Sequence, residues 1–198
     1  AWDELLELAV DIRRAFSKFT NDKLSFSAGL ALFNPGYPIS KMAEITGMLE
    51  CAAKDNGKNS IALFGLETEQ HDRETKLACK HVYQWPDFTA KVCAEKLQFL
   101  LNHLTFENAE NKIKAGISLL YRLLDLIEYK QNDKIDIARF AYTLGRMQPA
   151  SRDNPSLQAC YAEFSQQMYQ WYIHEEDRKQ LFTALNLLIY YRREAKEA

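Results

Sequence analysis

The sequence predicts an α+β protein in which a short part made of helices and strands precedes a helical bundle. Residues 1–65 alternate between apolar spacings of about 3.6 residues, typical of helices, and of about two residues, typical of strands. Residues 86–198 carry only the helical spacing, interrupted by short breaks. We therefore expect a mixed part at residues 1–66, a polar linker at 67–85 and an all-α bundle at 86–198.

The composition is that of a folded chain without a strong charge bias. The 198 residues are 47% hydrophobic, which excludes a disordered chain. The 25 Lys and Arg against 27 Asp and Glu give a net charge of -2, which excludes a histone-like nucleic-acid binder but not a local basic patch. No apolar run approaches the ~18 residues of a transmembrane helix, so no membrane is expected as a partner. Four widely spaced cysteines predict reduced thiols in the cytoplasm rather than a disulfide framework or a zinc site.

The first predicted element is an amphipathic helix over residues 3–20. Its apolar side chains are spaced by four and three residues, so they share one face that we expect to be buried. They are Leu5, Ala9, Ile12, Phe16 and Phe19. The chain begins with Ala1 instead of Met and enters this helical pattern at once, so we expect it to be a piece of a longer protein.

The second predicted element is a strand over residues 24–33, where larger apolar residues alternate with small ones. The small face includes Ser27 and Gly29. Such a face is typical of a strand that another backbone or a ligand approaches closely. Packing by a backbone is the simpler interpretation, and a ligand is the alternative.

A second helix and a second strand are predicted next. The helix begins near Pro38 and ends at Asn56-Gly57, because glycine suits the left-handed cap of a helix. The short apolar run at residues 60–64 predicts the strand. Residues 77–84 fit a strand slightly better than a helix.

The turn between this helix and this strand has two lysines, Lys54 and Lys58, which flank Gly57. Ammonium groups in such a turn could hold a triphosphate as point charges. The alternative is a solvated turn in which the lysines interact only with the helix dipole.

Five helices are predicted after residue 85, at residues 86–104, 108–130, 134–147, 155–174 and 176–195. Several arginines of this part of the chain are candidate contacts to phosphates, although arginine on a helix is more often simply solvated. These are Arg139, Arg146, Arg152, Arg178, Arg192 and Arg193, with Trp171 and Tyr190 as candidate stacking or anchoring residues.

Familiar catalytic motifs are absent from the sequence. It contains no catalytic-triad motif, phosphate-binding loop or dinucleotide fingerprint. Residues 1–65 hold no Asp-Asp or Asp-x-Asp pair for two magnesium ions. We therefore expect neither catalytic nor metal-binding residues in this chain.

Three segments, Ser27–Phe33, Tyr37–Ser40 and Lys58–Gly65, occur in an order and spacing that resembles one protein family. It is the large, polymerase-like subunit of type III CRISPR effector complexes, and the Csm branch (subtype III-A) fits best. In the helical part, Leu120–Leu124 and Ile137–Arg146 are similar to that family's C-terminal bundle. The residues Lys54, Gly57, Lys58 and Asn59 also resemble the helix ending of GGDEF diguanylate cyclases, with Lys in place of Arg at 58.

The resemblance implies a fold and an activity. The first part would be the second half of a ferredoxin-like nucleotide-cyclase palm, followed by an all-α helical bundle domain. The full-length subunit would convert ATP to cyclic oligoadenylate in antiviral defence when target RNA is bound, and some relatives also carry a nuclease. The implied Mg or Mn would be held by a Gly-Gly-Asp-Asp hairpin, which this sequence lacks, so we expect the chain to be inactive alone.

The resemblance also implies site residues and partners. The implied nucleotide-binding residues are Lys54, Lys58, Ser27, Gly29 and Asn59, and the implied nucleic-acid or subunit contacts are Arg139, Arg146, Arg192 and Arg193. Other subunits of the effector complex would be partners, with guide RNA and target RNA reached through the assembly. Two alternatives stay open: a helical module that docks subunits and binds nucleic acid in a ribonucleoprotein, and a diguanylate-cyclase-like domain. The long helical part and the lysine at position 58 argue against the second alternative.

Overall fold

The computed structural model describes residues 2–65, 67–71, 74–106, 111–128, 133–149 and 154–194. The chain divides into two compact units, residues 1–90 and 91–198. Helices and a small sheet form the first unit, and helices dominate the second. The predicted α+β class is therefore confirmed.

In its described part, the first unit combines a small sheet with two long helices. Its elements are α1 (Trp2–Thr20), β1 (Ala28–Ala31), α2 (Ile39–Asp55), β2 (Ser60–Phe64), β3 (Glu67–His71), β4 (Glu74–Ala78), β5 (Val82–Gln84) and α3 (Trp85–Asp87). The sheet has the order β1-β2-β5, with β1 parallel and β5 antiparallel to β2, while β3 and β4 form a separate hairpin. Because parallel neighbours need a crossover, α2 connects β1 to β2 and packs on both through Leu49 and Ala53.

β1 is shorter than the predicted strand over residues 24–33. Its four residues pair with Ile61–Phe64, and the ladder ends where this partner ends. Before it, the Phe26 carbonyl accepts the indole Nε1–H of Trp85 at 3.1 Å. A carbonyl satisfied in this way does not need a neighbouring strand. The predicted strand is therefore wrong at both of its ends.

The apolar face predicted for α1 is only partly buried. Ala9 is buried and Phe16 is half-buried, with the Phe16 ring 5.6 Å from the Phe26 ring in an edge-on contact. Three members of the predicted face are exposed, namely Leu5, Ile12 and Phe19. Burial within α1 is therefore greatest on the side that carries Ala9 and Phe16. The expectation of one buried face is therefore wrong for the three exposed residues.

Residues 67–85 contain three strands where the polar composition predicts a linker. β5 joins the sheet because Val82–Gln84 pairs with Ser60–Ala62. Strand pairing uses main-chain groups, so a polar segment forms a strand wherever it meets a free sheet edge or its own hairpin partner. The strand favoured for residues 77–84 is found in two pieces, at the end of β4 and in β5.

The described part of the second unit is mostly helical. After a π-helical segment (Phe88–Leu97), its elements are α4 (Gln98–His103), β6 (Leu104–Thr105), β7 (Ile113–Lys114), α5 (Ile117–Glu128), α6 (Asp133–Gly145), α7 (Pro155–Ile173) and α8 (Glu175–Glu194). Among these helices, α6 packs against α5 and α7, and α8 also packs against both α5 and α7. At the start of α7, Asn154 Oδ1 accepts the Leu157 N–H at 3.0 Å, as an N-cap side chain does. No described helix of the chain is long and apolar enough to cross a membrane.

A short parallel strand pair interrupts the predicted all-helical part. β6 pairs with β7, and the Ala115 N–H donates to the Thr105 carbonyl at 2.8 Å. The buried side chains of Leu104 and Ile113 favour this pairing. The helix predicted over 108–130 consequently starts only at Ile117, and the all-α expectation is wrong for these strands. Residues 107–110 and 129–132 lie outside the described residues.

Lys96 of the second unit is completely buried. The Lys96 ammonium lies 2.9 Å from Asp177 Oδ1, 3.2 Å from Glu95 Oε1 and 5.0 Å from the centre of the Trp171 ring. A buried charge needs such partners because it has lost its hydration. Trp171 is itself buried, and its ring contacts Lys96 and Phe99. It is therefore an internal anchor and not a stacking surface for bases.

Candidate functional site

The candidate site is the α2–β2 corner, residues 54–60, where α2 ends and β2 begins. Its backbone passes through three consecutive residues with left-handed φ angles: Gly57 at +86°, Lys58 at +62° and Asn59 at +49°. Glycine adopts this region freely and asparagine tolerates it, but lysine does so at a cost because its Cβ crowds the following carbonyl. The shape of the corner therefore depends on the contacts around it.

Hydrogen bonds within the corner hold this shape. The Lys58 N–H donates to the Lys54 carbonyl at 3.0 Å, so Gly57 forms the predicted left-handed helix cap. Ser60 Oγ donates to the Lys58 carbonyl at 2.7 Å. Asn56 Nδ2 donates to Ser60 Oγ at 3.3 Å. The two lysines therefore extend from a well-defined backbone.

Lys54 and Lys58 are both exposed at this corner. The Lys54 ammonium lies 2.8 Å from Glu50 Oε1, one helical turn earlier. This hydrogen bond, together with the charge of Glu50, raises the pKa of Lys54. Because both partners are about half exposed, the pair adds little stability, and an anionic ligand can compete for the ammonium group.

Arg13 of α1 also contacts the corner, although no sequence motif marks it. Its Nε–H donates to Asn59 Oδ1 at 3.0 Å, across a separation of 46 residues. The Asn59 carbonyl accepts the Trp85 N–H at 2.9 Å. Asn59 is thus bound within the unit through both its side chain and its backbone. The nucleotide contact expected for Asn59 stays a prediction.

The small face of β1 lies against α2. A Cβ on Gly29 would be 2.7 Å from both the Glu50 nitrogen and the Thr46 carbonyl oxygen, so the α2 backbone occupies the space that a side chain would need. Close packing by a backbone is therefore what the structure shows at Gly29. Ser27 Oγ is buried and has no hydrogen-bond partner among the described residues. The nucleotide contacts expected for Ser27 and Gly29 stay predictions.

Two of the candidate arginines in the second unit contact their own chain. Arg192 Nη1 donates to the Ala115 carbonyl at 3.0 Å, and its guanidinium carbon lies 3.8 Å from the centre of the Phe106 ring. Arg178 Nη1 donates to the Tyr172 carbonyl at 3.3 Å. The Arg192 guanidinium therefore binds segments next to β6 and β7, and the Arg178 guanidinium binds the end of α7. An external contact by Arg192 stays a prediction.

Arg139 lies on an exposed face of α6, and Arg146 is the first residue after this helix, where its N–H still donates to the Tyr142 carbonyl at 3.1 Å. They share this face with Ile135 and Tyr142, because the four positions are spaced by four, three and four residues. Tyr142 is 61% exposed, and the Arg139 side chain is 67% exposed despite an ion pair with Asp136 at 3.7 Å. Two other candidates, Arg152 and the side chain of Arg193, lie outside the described residues. Tyr190 is half-buried.

The buried imidazole of His81 and the half-buried thiol of Cys93 are neutral at physiological pH. Burial, with a smaller effect from the charge of Lys80, lowers the pKa of His81 to about 4. Burial raises the pKa of the Cys93 thiol to about 12. Neither group supplies a charge or a reactive thiolate. Among the described residues, no group of three or more His, Cys, Asp and Glu is placed to hold a metal ion.

Comparison with known proteins assigns both units to one family. The sequence profile of the second palm domain of Cas10/Cmr2 matches residues 1–62. The profile of the second helical domain of the Cmr2 subunit of the CRISPR RNA silencing complex matches residues 99–194. The first span lies in the mixed part of the chain and the second in its helical part.

Curated relatives named CRISPR system single-strand-specific deoxyribonuclease Cas10/Csm1 (subtype III-A) align with nearly all of this chain. The relative from Mycobacterium tuberculosis is 37% identical over 191 residues, which is 96% of this chain and 21% of the relative. The relative from Enterococcus italicus is 34% identical over 195 residues, which is 98% of this chain and 22% of the relative. The chain belongs to the Cas10/Csm1 family. It spans about a fifth of the length of these relatives.

Membership of the Cas10/Csm1 family confirms the resemblance to the type III-A large subunit. The α2–β2 corner and Arg13 lie within the span matched by the Cas10/Cmr2 second palm domain. The exposed face of α6 lies within the span matched by the second helical domain. The two candidate surfaces therefore belong to different domains of a Cas10/Csm1 protein.

Proposed function

We propose that this chain supplies the triphosphate-binding corner of a Cas10/Csm1 palm that converts ATP to cyclic oligoadenylate. The observation that carries the proposal is the α2–β2 corner, where Lys54 and Lys58 extend from a hydrogen-bonded turn inside the palm span. In this proposal Ser27, Gly29 and Asn59 lie near the nucleotide. Guide RNA, target RNA and neighbouring subunits act on the palm through the assembled effector complex.

The chemistry of phosphoryl transfer supports this role for the lysines. Negative charge on the phosphate oxygens is stabilised by cations that are already in place when ATP binds. Glu50 keeps the Lys54 ammonium at the corner, and a triphosphate, which carries more charge, competes for it. Ser27 Oγ is buried without a hydrogen-bond partner among the described residues, and a buried hydroxyl of this kind would gain from one.

The described residues do not fit the Mg or Mn that such a reaction uses. They contain no cluster of His, Cys, Asp and Glu placed for a metal ion, and Gly-Gly-Asp-Asp does not occur in the sequence. In the proposal, the metal is held by other parts of the full-length protein. The residues of this chain contribute phosphate binding, and we derive no metal-dependent step from them.

The isolated chain is expected to form no cyclic oligoadenylate from ATP and magnesium, because it lacks the Gly-Gly-Asp-Asp hairpin. The assembled, RNA-activated complex with the full-length protein is expected to form it. Product analysis by chromatography of both preparations tests this, with GTP assayed in parallel because a diguanylate-cyclase-like domain would use GTP. Oligoadenylate from the pure isolated chain, or conversion of GTP instead of ATP by the complex, would contradict the proposal.

A second candidate function is binding of single-stranded nucleic acid by the exposed face of α6. Arg139 for phosphates and an exposed Tyr142 for base stacking lie along one side of this helix, and Arg146 continues this side directly after it. Cations interleaved with an aromatic ring are typical of surfaces that bind single strands. This role is compatible with the first, because it concerns the helical domain instead of the palm.

Charge reversal on α6 tests this second function. Arg139→Glu and Arg146→Glu in the full-length protein are each expected to weaken binding of a labelled single-stranded oligonucleotide roughly tenfold and to reduce its salt dependence. The matched control is Arg122→Glu, an exposed arginine of α5, which is expected to have little effect. Binding that is unchanged while subunit assembly is lost would show that the face docks a protein.

A further inference from the structure

We propose that Arg13 of α1 is a positioning residue for the nucleotide. Its hydrogen bond to Asn59 keeps the α2–β2 corner in the shape that directs Lys58 toward the triphosphate. This inference rests on the proposed function of the corner. It adds a residue on another helix, which itself need not touch ATP.

The corner needs a hold from outside because its own backbone preference opposes its shape. Lys58 and Asn59 are adjacent, and both are non-glycine residues in the left-handed region. Each would gain by relaxing to a right-handed or extended conformation. The bonds of Lys58 to Lys54 and Ser60 fix the turn on the helix side, but they do not fix Asn59.

Asn59 is held from two directions by other elements. The Trp85 N–H binds its carbonyl at 2.9 Å, and Arg13 Nε–H binds its side-chain oxygen at 3.0 Å. Trp85 is buried, so its amide is a fixed point of the unit. The Arg13 bond comes from a charged donor and is therefore the stronger type of hydrogen bond. Asn59 can adopt another conformation only if its hydrogen bond to Arg13 breaks.

Lys58 lies directly before this restrained residue, so the direction of its side chain depends on the Arg13–Asn59 bond. A lysine that binds the triphosphate does so both in the ground state and in the transition state. Loss of its positioning is therefore expected to raise KM for ATP and to leave kcat nearly unchanged. A purely structural role for Arg13 would instead lower the thermal midpoint and the active fraction without a change in KM.

The experiment uses the full-length protein in its assembled, RNA-activated complex and measures ATP-to-oligoadenylate kinetics. Arg13→Met is expected to raise KM for ATP roughly tenfold, with kcat within about twofold and an unchanged thermal midpoint. Arg13→Lys keeps a charged donor and is expected to restore most of the affinity. The matched control is Arg14→Met, which removes the next residue's exposed ion pair with Asp11 and is expected to leave KM unchanged.

A Lys58→Ala background separates the two proposals. If Arg13 acts through Lys58, Arg13→Met adds no further increase in KM once Lys58 is absent. An unchanged KM for Lys58→Ala alone would contradict the proposed function of the corner. If Lys58→Ala raises KM but Arg13→Met behaves like Arg14→Met, the role of Arg13 is overturned. The role is also overturned if Lys58→Ala raises KM and Arg13→Met adds its full effect in the Lys58→Ala background.

Discussion

Replacing both Lys54 and Lys58 by alanine in the full-length protein is expected to lower ATP conversion per unit ATP by roughly two to four orders of magnitude. Each charge-assisted phosphate contact contributes about 1.5–3 kcal/mol, and this variant removes two. Folding should be nearly unaffected, because both side chains are exposed and the Glu50 pair is weak. Alanine keeps a Cβ, so the strain at the left-handed position 58 stays the same.

The measurement compares oligoadenylate synthesis and the thermal midpoint of the variant complex with those of a charge-matched control. Lys18→Ala combined with Lys41→Ala removes two exposed lysines from the same unit. Lys41 is paired with Glu44 at 2.6 Å, much as Lys54 is paired with Glu50. The control is expected to keep near-normal synthesis. If the corner variant also does so at unchanged stability, the lysines do not hold the substrate.

Replacing Gly29 by alanine is expected to destabilise the first unit by about 3 kcal/mol or more, near the upper end of overpacking effects. The added Cβ would lie 2.7 Å from the Glu50 nitrogen and the Thr46 oxygen and 2.8 Å from Leu49 Cβ. Two of these atoms belong to the α2 backbone, which cannot move aside as the end of a side chain does. Relief of the clash requires α2 to shift away from the sheet.

The Gly29→Ala variant is best followed by amide hydrogen exchange in α2 together with denaturant unfolding. Gly47→Ala is the matched control, because Gly47 lies in α2 and no described atom apart from the nearby backbone of α2 itself lies within 4 Å of the position that its Cβ would take. That substitution is expected to stabilise the helix by about 0.5–1 kcal/mol, through the higher helix propensity of alanine. If both variants are equally stable, α2 does not lie as close to β1 as the structure shows.

Local features of the site followed from the sequence. The glycine cap at Gly57, the lysines on either side of it and the apolar run of β2 are encoded within a few residues of one another. Such features depend on local backbone preference and on chemical type, so their spacing alone predicts them. The family resemblance also rests on the order of short segments. The corner and its family could therefore be identified before the fold was known.

Contacts between distant segments did not follow from the sequence. Arg13 reaches Asn59 across 46 residues, and no motif distinguishes it from the neighbouring Arg14, which is exposed. Arg192 is similar, because its aromatic and basic neighbours suggest an external contact while its guanidinium binds Ala115 and packs on Phe106. The partner of an arginine is set by what the fold brings within reach of its long side chain.

The sequence by itself determined the α+β class, most helix positions, the α2–β2 corner and the resemblance to type III-A large subunits. These properties depend on periodicity and on local motifs. The tertiary structure alone decided which residues of α1 are buried, how far β1 extends and that β6 and β7 pair. Amphipathic periodicity requires only that some face be covered, and a strand extends only as far as its partner. Both outcomes are fixed when distant segments meet, because main-chain hydrogen bonds and apolar burial are then satisfied together.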